Sequence, residues 1–443
     1  MMELPEIQEI IKEADIDSIR VDFPDIHGIC RSKLIPARRL EATLEEGLNF
    51  AEATYIVDFA NDIAFEGGCG VDSGWSDMTA RPDLETFAIL PHQPHTARII
   101  ANTFLKGAPH PADPRGALKK ILGRYENLGL KAFAASELEF MLFYPVSGEN
   151  YNDSPSCVYQ VNSSVDKLGI LRTIQNACLD LGIEIIYLNH EFSPGQFEVN
   201  WKYCDAMKMA DQTFTFKHLC KEIATQNDLH LTFMGRPRSD GGGNGYHIHL
   251  SLNDIESGNN AFDDPDAKDG MSELQRYFIG GQLAHAKGIS ALLAPTINSY
   301  KRYVPDSFAP YFIAWGGDNR TVYCRVPDER GTAARVENRA ACASANPYLA
   351  IAATLAAGLD GIENKIDPGE PAKCDIYHDE SGQYEPMPFY LRDAISALKA
   401  DTFLNEIFSP ELLSAFIALK EREEDRFRTT VTDWEFNEYS YHL

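Results

Sequence analysis

The chain has 443 residues, 44% hydrophobic and 24% charged, the balance of a soluble globular protein with two domains or one large catalytic domain. Its formal net charge is −26, from 66 Asp and Glu against 40 Lys and Arg. That charge argues against nucleic acid as a partner and is compatible with cationic small molecules and divalent metals. No apolar stretch reaches the roughly 18 residues of a membrane span. The opening MMELPEIQEIIKEADID reads as an acidic amphipathic helix rather than a signal peptide. Nine scattered cysteines without a C-x-x-C pair read as free thiols in a reducing cytoplasm.

In chain order, the pattern predicts helix over residues 1–16, then two short strands in SIRVDFPDIHGICRSKLIP around a turn at Asp25–Gly28. Pro36 opens a helical piece, ARRLEATLEEG, that Gly47 stops. Residues 61–75 are Gly-rich and irregular, and TFAILPHQPHTARIIANTF returns to strand chemistry with proline breaks. The Pro- and Gly-rich KGAPHPADPRGA at 106–117 marks a domain boundary, dividing 1–107 from 108–443. Beyond it come helix RGALKKILGRYENLGL, strand KAFAASELEFMLFYP, helix SVDKLGILRTIQNACLDLG, strand IEIIYLNHEF and the long helix DAMKMADQTFTFKHLCKEIATQND. Strands LTFMGRP and GYHIHLSL flank a Gly-rich loop. Helical patterns return from MSELQRYF to ISALLAP and in ANPYLAIAATLAAGLDGIENK, and two more helices are expected from Pro388 onward. The strands carry polar residues on one face, unlike fully buried parallel strands.

Three of these strands place ionisable groups at spacing two, which puts them on one face. In ASELEFMLF, Glu137 and Glu139 point one way while Leu138, Phe140 and Leu142 point into the core. In GYHIHLSL, His247, His249 and Ser251 share a face, and in ARVENRA, Arg335, Glu337 and Arg339 do. A solvent-facing sheet would account for each strand alone. Three strands of Glu, His and Arg without Lys or Thr filler point instead to a shared concave site. Two acids in one apolar run are costly to bury unless a cation satisfies them. Carboxylates with one or two imidazoles suit Mg²⁺ or Mn²⁺, and arginine forks suit phosphate and carboxylate. NHEFSPGQFEVN adds Glu191 and Glu198 around a Pro-Gly turn, and RYVPDSFAP and WGGDNRTVYCRVP add Arg302, Arg320 and Arg325. Together these describe phosphoryl transfer from ATP to a carboxylate, although no P-loop is present.

VDFPDIHG, ELEF, HEFSPGQFE, FMGRP, GNGYHIHLSL, NSYKRYVP, DNRT with VYCRVP, ARVENR with ANPYLA, and VTDWEFNEY follow one another along nearly the whole chain. In that order they resemble the glutamine synthetase superfamily, type I. The resemblance implies an α+β fold: an N-terminal β-grasp domain over 1–107, then a catalytic domain over 108–443 with a curved, mainly antiparallel sheet flanked by helices. It implies a homo-oligomer, a dodecamer of two stacked hexameric rings with active sites between subunits, that binds glutamate, ATP and two or more Mg²⁺ or Mn²⁺ ions per site. Glu139, Glu191 and Glu198 would hold one metal, and Glu137, His247 and Glu337 the other. Arg302, Arg339 and the backbone of Gly243 would hold glutamate. His249, Ser251, Arg325 and Arg335 would hold ATP together with Arg320, which would also stabilise the moving phosphoryl group. The implied chemistry is attack of the glutamate γ-carboxylate on ATP to give γ-glutamyl phosphate, then displacement of phosphate by a nitrogen nucleophile.

The chain departs from the pattern where the family binds ammonium. VPDSFAP puts Phe308 where ammonia-using members carry Glu, and Ala51 stands where an Asp is expected, with Glu52 beside it. Gly242 replaces an Asn, Thr332 replaces a Lys, and the family's adenylylation stretch is at best echoed around Tyr377. An apolar pocket holds a hydrated ammonium ion poorly, whereas an organic amine gains roughly 0.8 kcal/mol for each methylene it buries. WGGDNRT and HEFSPGQFE also look like the subgroup that makes γ-glutamyl amides of polyamines and other amines. The expectation is a cytoplasmic ATP-dependent glutamate–amine ligase acting on a polyamine such as putrescine or on a monoamine, with Glu52 of a neighbouring subunit as candidate base and Phe308 in the amine pocket. Ordinary glutamine synthetase using ammonium is the alternative. A non-catalytic relative should have lost metal-ligand positions, and a guanidino kinase would not need the glutamate clamp.

Overall fold

The computed structural model describes residues 2–152, 158–160 and 165–443. Cys157 and Ser164, the latter opening one predicted helix, lie outside them, and the eight described cysteines are free. Helix Leu4–Glu13 precedes a hairpin of Ser18–Pro24 and Cys30–Pro36, closed by the Asp25 carboxylate, which accepts from the backbone of His27 and Ile29 at 2.9 Å each. The hairpin joins a seven-stranded sheet in which Ser18–Pro24 runs parallel to Thr96–Leu105. The last strand of this sheet is Ala108–Pro109.

A second, nine-stranded sheet is built on the long strand Leu130–Phe143. Its alternation holds from Leu130 to Phe140: Ala132, Ala134, Leu138 and Phe140 are buried on one face, and Glu137 and Glu139 are half-buried on the other, before Met141 to Phe143 are buried throughout. Antiparallel neighbours are Gln196–Trp201 on one side and Tyr246–Asp254 on the other, the latter followed by Val336–Asn338 and Cys324–Val326. Among the described residues, only the short edge strand Trp315–Gly317 pairs in parallel in this sheet. The fold is the α+β architecture expected, with a curved, mainly antiparallel catalytic sheet.

Helices Pro114–Asn127 and Ala206–Gln226 cover the apolar face, and helix Pro347–Asn364 packs on both of them. This central helix is buried from Pro347 to Gly361, as a helix enclosed by other elements should be. Helix Glu273–Ala284 crosses it at backbone contact: a Cβ at Gly281 would lie 2.0 Å from the Ala357 carbonyl oxygen. Asn346 caps the central helix by accepting from Tyr348 N at 3.0 Å and donates to the carbonyls of Asp25 and Ile26, tying the first sheet's hairpin to the catalytic half. Arg115 does likewise, pairing with Asp83 beside the first sheet at 3.0 Å and bidentately with Asp211 of helix Ala206–Gln226 at 2.9 Å for both bonds.

Three local expectations change. SVDKLGILRTIQNACLDLG becomes helix only from Ile170 to Asp180. LTFMGRP keeps only Leu231 and Thr232 in a strand, His230–Thr232, and Gly235 lies off the sheet against Cys342 and Ser299. The C-terminal stretch holds four helices rather than two: Leu391–Ala400, Thr402–Ile407, Pro410–Arg428 and Asp433–Tyr439. Caps cut the pattern. Asp401 accepts from Leu404 N, Ser409 with Pro410 restarts the chain, and Thr432 with Glu435 forms a capping box.

Candidate active site

Register turns the spacing-two pattern into a row of facing groups. Glu198 stands opposite Glu139, His247 opposite Glu137, and Glu337 opposite both His249 and Arg325. Directly opposed residues of antiparallel strands share a face with Cβ atoms about 5 Å apart, so five strands deliver one continuous ionic surface. It forms the wall of a cavity of about 1410 Å³. Every predicted site residue lines that cavity except Glu337 and Glu52.

Glu337 lies beneath the wall, fully buried, and forms short ion pairs with Arg325 and Arg339. Its carboxylate is 3.7 Å from His247 Nδ1, which in turn meets Glu137 at 2.6 Å. The ligand atoms of Glu137, His247 and Glu337 lie within 4.8 Å of one another, as do those of Glu139, Glu198 and His247. His247 therefore belongs to both groups. Glu191 belongs to neither: it lines the same cavity, with its carboxylate accepting from Asn189 Nδ2 at 3.0 Å.

The two groups differ in charge balance. Burial opposes ionisation of Glu137, but His247 and then His249 override it and hold the carboxyl well below its usual range. At Glu337, Arg339 and the histidines likewise override burial and bring the carboxyl down to about 2. On the other side, burial and then Glu137, Glu139 and Glu191 push Glu198 up to about 10, and burial with Glu139 pushes Glu191 up to about 7. Among the described residues no lysine or arginine lies within ion-pair distance of Glu191 or Glu198 to lower them. Crowded carboxylates of this kind demand a cation or a proton. The donors are carboxylate oxygens plus one imidazole, the set that Mg²⁺ or Mn²⁺ takes. Space is kept for it: a Cβ at Gly245 would lie 3.1 Å from both Glu139 Oε1 and His247 Nε2. The residues present fit a divalent metal.

The arginines surround this face. Arg302, nearly buried, donates to the Ala341 carbonyl at 3.0 Å, and a Cβ at Gly243 would strike its side chain at 2.5 Å. Arg339 reaches the carbonyls of Arg320 and Phe308, each at 3.2 Å. Arg320 itself is exposed to the cavity. Arg325 also pairs with Asp318, and Arg335 pairs with Glu329 at 3.3 Å near the mouth shared with Ser251. Glu52 stands apart, buried in the first sheet's loops, accepting from Ser76 at 3.3 Å and 3.4 Å from His110 Nε2.

Sequence reasoning missed Gln196, whose amide donates to Glu139 at 3.0 Å and to the Gly243 carbonyl at 2.9 Å. It sits inside HEFSPGQFE, whose fixed order was the available signal. It also missed Phe192, whose ring stacks on Phe308 with centroids 5.7 Å apart and planes at 26°. No local pattern links residues so far apart in the chain.

An oxygen-rich metal cradle and arginines around one concave antiparallel sheet suit phosphoryl transfer to a carboxylate. Comparison with known proteins agrees. The sequence profile described as "Glutamine synthetase, catalytic domain" matches residues 111–439. A glutamine synthetase of Halobacterium salinarum is 36% identical over 445 residues, covering 97% of this chain and 94% of that protein. One of Thermotoga maritima is 35% identical over 456 residues, covering 99% and 100%. Among solved structures, apo GmaS without ligand, a γ-glutamylmethylamide synthetase, superposes with a TM-score of 0.88 at 34% identity over 99% of both chains. A GmaS/ADP complex gives the same score at 33% identity, again over 99% of both. The chain belongs to the glutamine synthetase family. It is an ATP-dependent ligase that joins glutamate to ammonia or an amine. Among the described residues no helix is long and apolar enough to cross a membrane.

Proposed function

We propose that the nitrogen nucleophile is an organic amine and that the product is a γ-glutamyl amide. The observation that carries this reading is the Phe192–Phe308 ring pair in the cavity, where ammonia-using relatives are expected to carry an acid at position 308. Two aromatic rings offer a primary amine's carbon chain apolar surface to cover, whereas a hydrated ammonium ion gains only a weak cation–π contact from them. A monoamine or a polyamine such as putrescine meets this requirement, and the likeness to GmaS favours a small monoamine.

In this reading Arg302, Arg339 and the Gly243 backbone hold the carboxylates of glutamate, and His249, Ser251, Arg325 and Arg335 hold ATP. The γ-carboxylate oxygen attacks the terminal phosphorus and ADP leaves, giving γ-glutamyl phosphate. Arg320 faces the transferred group and offsets its charge. The amine nitrogen then attacks the carbonyl carbon, phosphate leaves, and the nitrogen gives up a proton to a base, for which Glu52 of a neighbouring subunit is the candidate. Divalent cations, Mg²⁺ or Mn²⁺, held by Glu139, Glu191 and Glu198 and by Glu137, His247 and Glu337, would neutralise phosphate charge when bound. We place a β-grasp domain at 1–107, the catalytic domain at 108–443, the assembly as a cytoplasmic dodecamer and the active sites between subunits.

The test is phosphate release from ATP with glutamate, Mg²⁺ and a panel of ammonium, methylamine, isopropylamine, ethanolamine, putrescine, spermidine and aniline. An amine well above ammonium establishes the reading. Ammonium winning establishes the second one, glutamine synthetase, which the 34–36% identity to proteins of that name favours.

A further inference from the structure

The segment echoing the family's adenylylation stretch has another task here. Tyr377 is buried at 4% exposure, and its hydroxyl donates to the Ala309 carbonyl at 3.0 Å. Ala309 follows Phe308 directly. The hydroxyl is therefore spent inside the protein and is not offered to a modifying enzyme.

The loop that carries Phe308 needs holding. Both Asp306 and Phe308 have positive φ, 63° and 56°, a conformation that bulky L residues rarely adopt and that persists only where the surroundings fix it. Four contacts do the fixing. Ser307 Oγ donates to the Arg302 carbonyl at 2.9 Å, and Arg339 donates to the Phe308 carbonyl at 3.2 Å. Tyr377 donates to the next carbonyl, and His378 lies 3.2 Å from Asp306. The His378–Asp306 pair is about 70% exposed on both sides, where such pairs contribute little. The Tyr377 bond is buried and is the main tie between this loop and the 374–378 segment.

That segment is itself anchored to the turn that carries Arg320. Asn319 donates to the Cys374 carbonyl at 2.8 Å, Ile376 N donates to Thr321 Oγ1 at 3.3 Å, and Ile376 packs into a small core with Ala314, Val322 and Ala372. The segment is a strut between the Arg320 turn and the Phe308 loop.

We infer that Tyr377 is a positioning residue for the nitrogen nucleophile: its hydroxyl holds the strained loop so that Phe308 closes on Phe192 and completes the amine wall. This rests on the assignment of that wall to the nucleophile. Tyr377 does not line the cavity itself. Its loss acts through Phe308 and leaves the glutamate and ATP sites in place.

The experiment is a double-mutant cycle with Tyr377→Phe and Phe308→Ala in the full chain. KM is measured for the best nucleophile in the panel, for glutamate and for ATP, with the melting temperature alongside. Loss of one buried neutral hydrogen bond predicts that Tyr377→Phe raises the nucleophile KM about fivefold, with the other two KM values within about twofold. In the Phe308→Ala background the same change has an effect below about twofold, because the residue it acts through is gone. The inference is overturned if the rise is equal in both backgrounds, if there is no rise, or if all three KM values and the melting temperature shift together. The amine reading fails separately, by wild-type preference for ammonium. The cycle is then read from the ammonium KM, with the same outcomes.

Discussion

Truncating Phe308 to Ala tests the amine wall directly. The two rings are 51% and 59% exposed in the structure and meet at 5.7 Å, so an alkyl chain laid along them covers surface that water now touches. Each methylene buried contributes about 0.8 kcal/mol, roughly a fourfold change in affinity. Removing one of two walls leaves about half of that, roughly twofold per methylene. The assay is initial-rate phosphate release with methylamine, ethylamine, n-propylamine and n-butylamine at saturating ATP and glutamate. Wild-type KM should fall about fourfold per added carbon over the first steps, and the Phe308→Ala slope should be about half on a logarithmic scale. Ala is the right probe because it keeps the Cβ at the positive φ, whereas Gly would relax the loop and confound the slope. An exposed ring removed this way should change stability by no more than about 0.5 kcal/mol. Parallel slopes in the two proteins, or a wild-type KM indifferent to chain length, refute the wall.

Glu337→Gln should lower phosphate release with every nucleophile on the order of a thousandfold if the carboxylate, paired with two arginines, holds metal as proposed; chelation by EDTA should match it and added Mg²⁺ or Mn²⁺ should reverse only the chelation. His218 gives a stability test away from the site. Burial, then Lys221 and Lys217, hold its imidazole at about 3, so below an unfolded value near 6.5 only the unfolded chain takes up the proton, and stability is lost as pH falls from about 6.5 toward 3. By pH 4.5 this amounts to about 2 to 3 kcal/mol, and His218→Gln should flatten that part of the melting-temperature profile relative to wild type.

The site was legible where chemistry follows local period. Glu137 and Glu139, His247 and His249, and Glu337 and Arg339 alternate with buried residues, so their shared face could be read without a fold. Which acid faces which could not, because register is set by turns and core packing far from the acids. That is why His247 proves common to both ion-sized groups and Glu191 lies outside them. The same reason hid Phe192, a single aromatic in a loop whose meaning depends on a partner more than a hundred residues later. The extra C-terminal helix breaks were visible in principle, since Asp401, Ser409–Pro410 and Thr432 are capping residues. The helical period simply runs on through them.

Arg339 ties these observations together, because one guanidinium spans three parts of the site. Nη1 pairs with Glu337 at the buried floor, Nε donates to the carbonyl of Arg320, and Nη2 donates to the carbonyl of Phe308. The guanidinium of Arg302, the other arginine assigned to glutamate, donates to the carbonyls of Ala340 and Ala341 rather than to the Arg320 turn or the Phe308 carbonyl. Lysine keeps the charge but offers a single ammonium that cannot reproduce a planar three-way fork. Arg339→Lys should therefore lose two hydrogen bonds from a charged donor, each about 1.5 kcal/mol or more. The consequence is at least a tenfold loss in kcat/KM for glutamate, together with a weakened preference for longer amines. Arg302→Lys should affect glutamate alone. The pair of variants, measured across the same amine series, separates the two ideas. If Arg339→Lys raises the glutamate KM while the chain-length slope stays at the wild-type value, the guanidinium binds substrate without bracing the loop, and the wall must be held by Ser307 and Tyr377 instead.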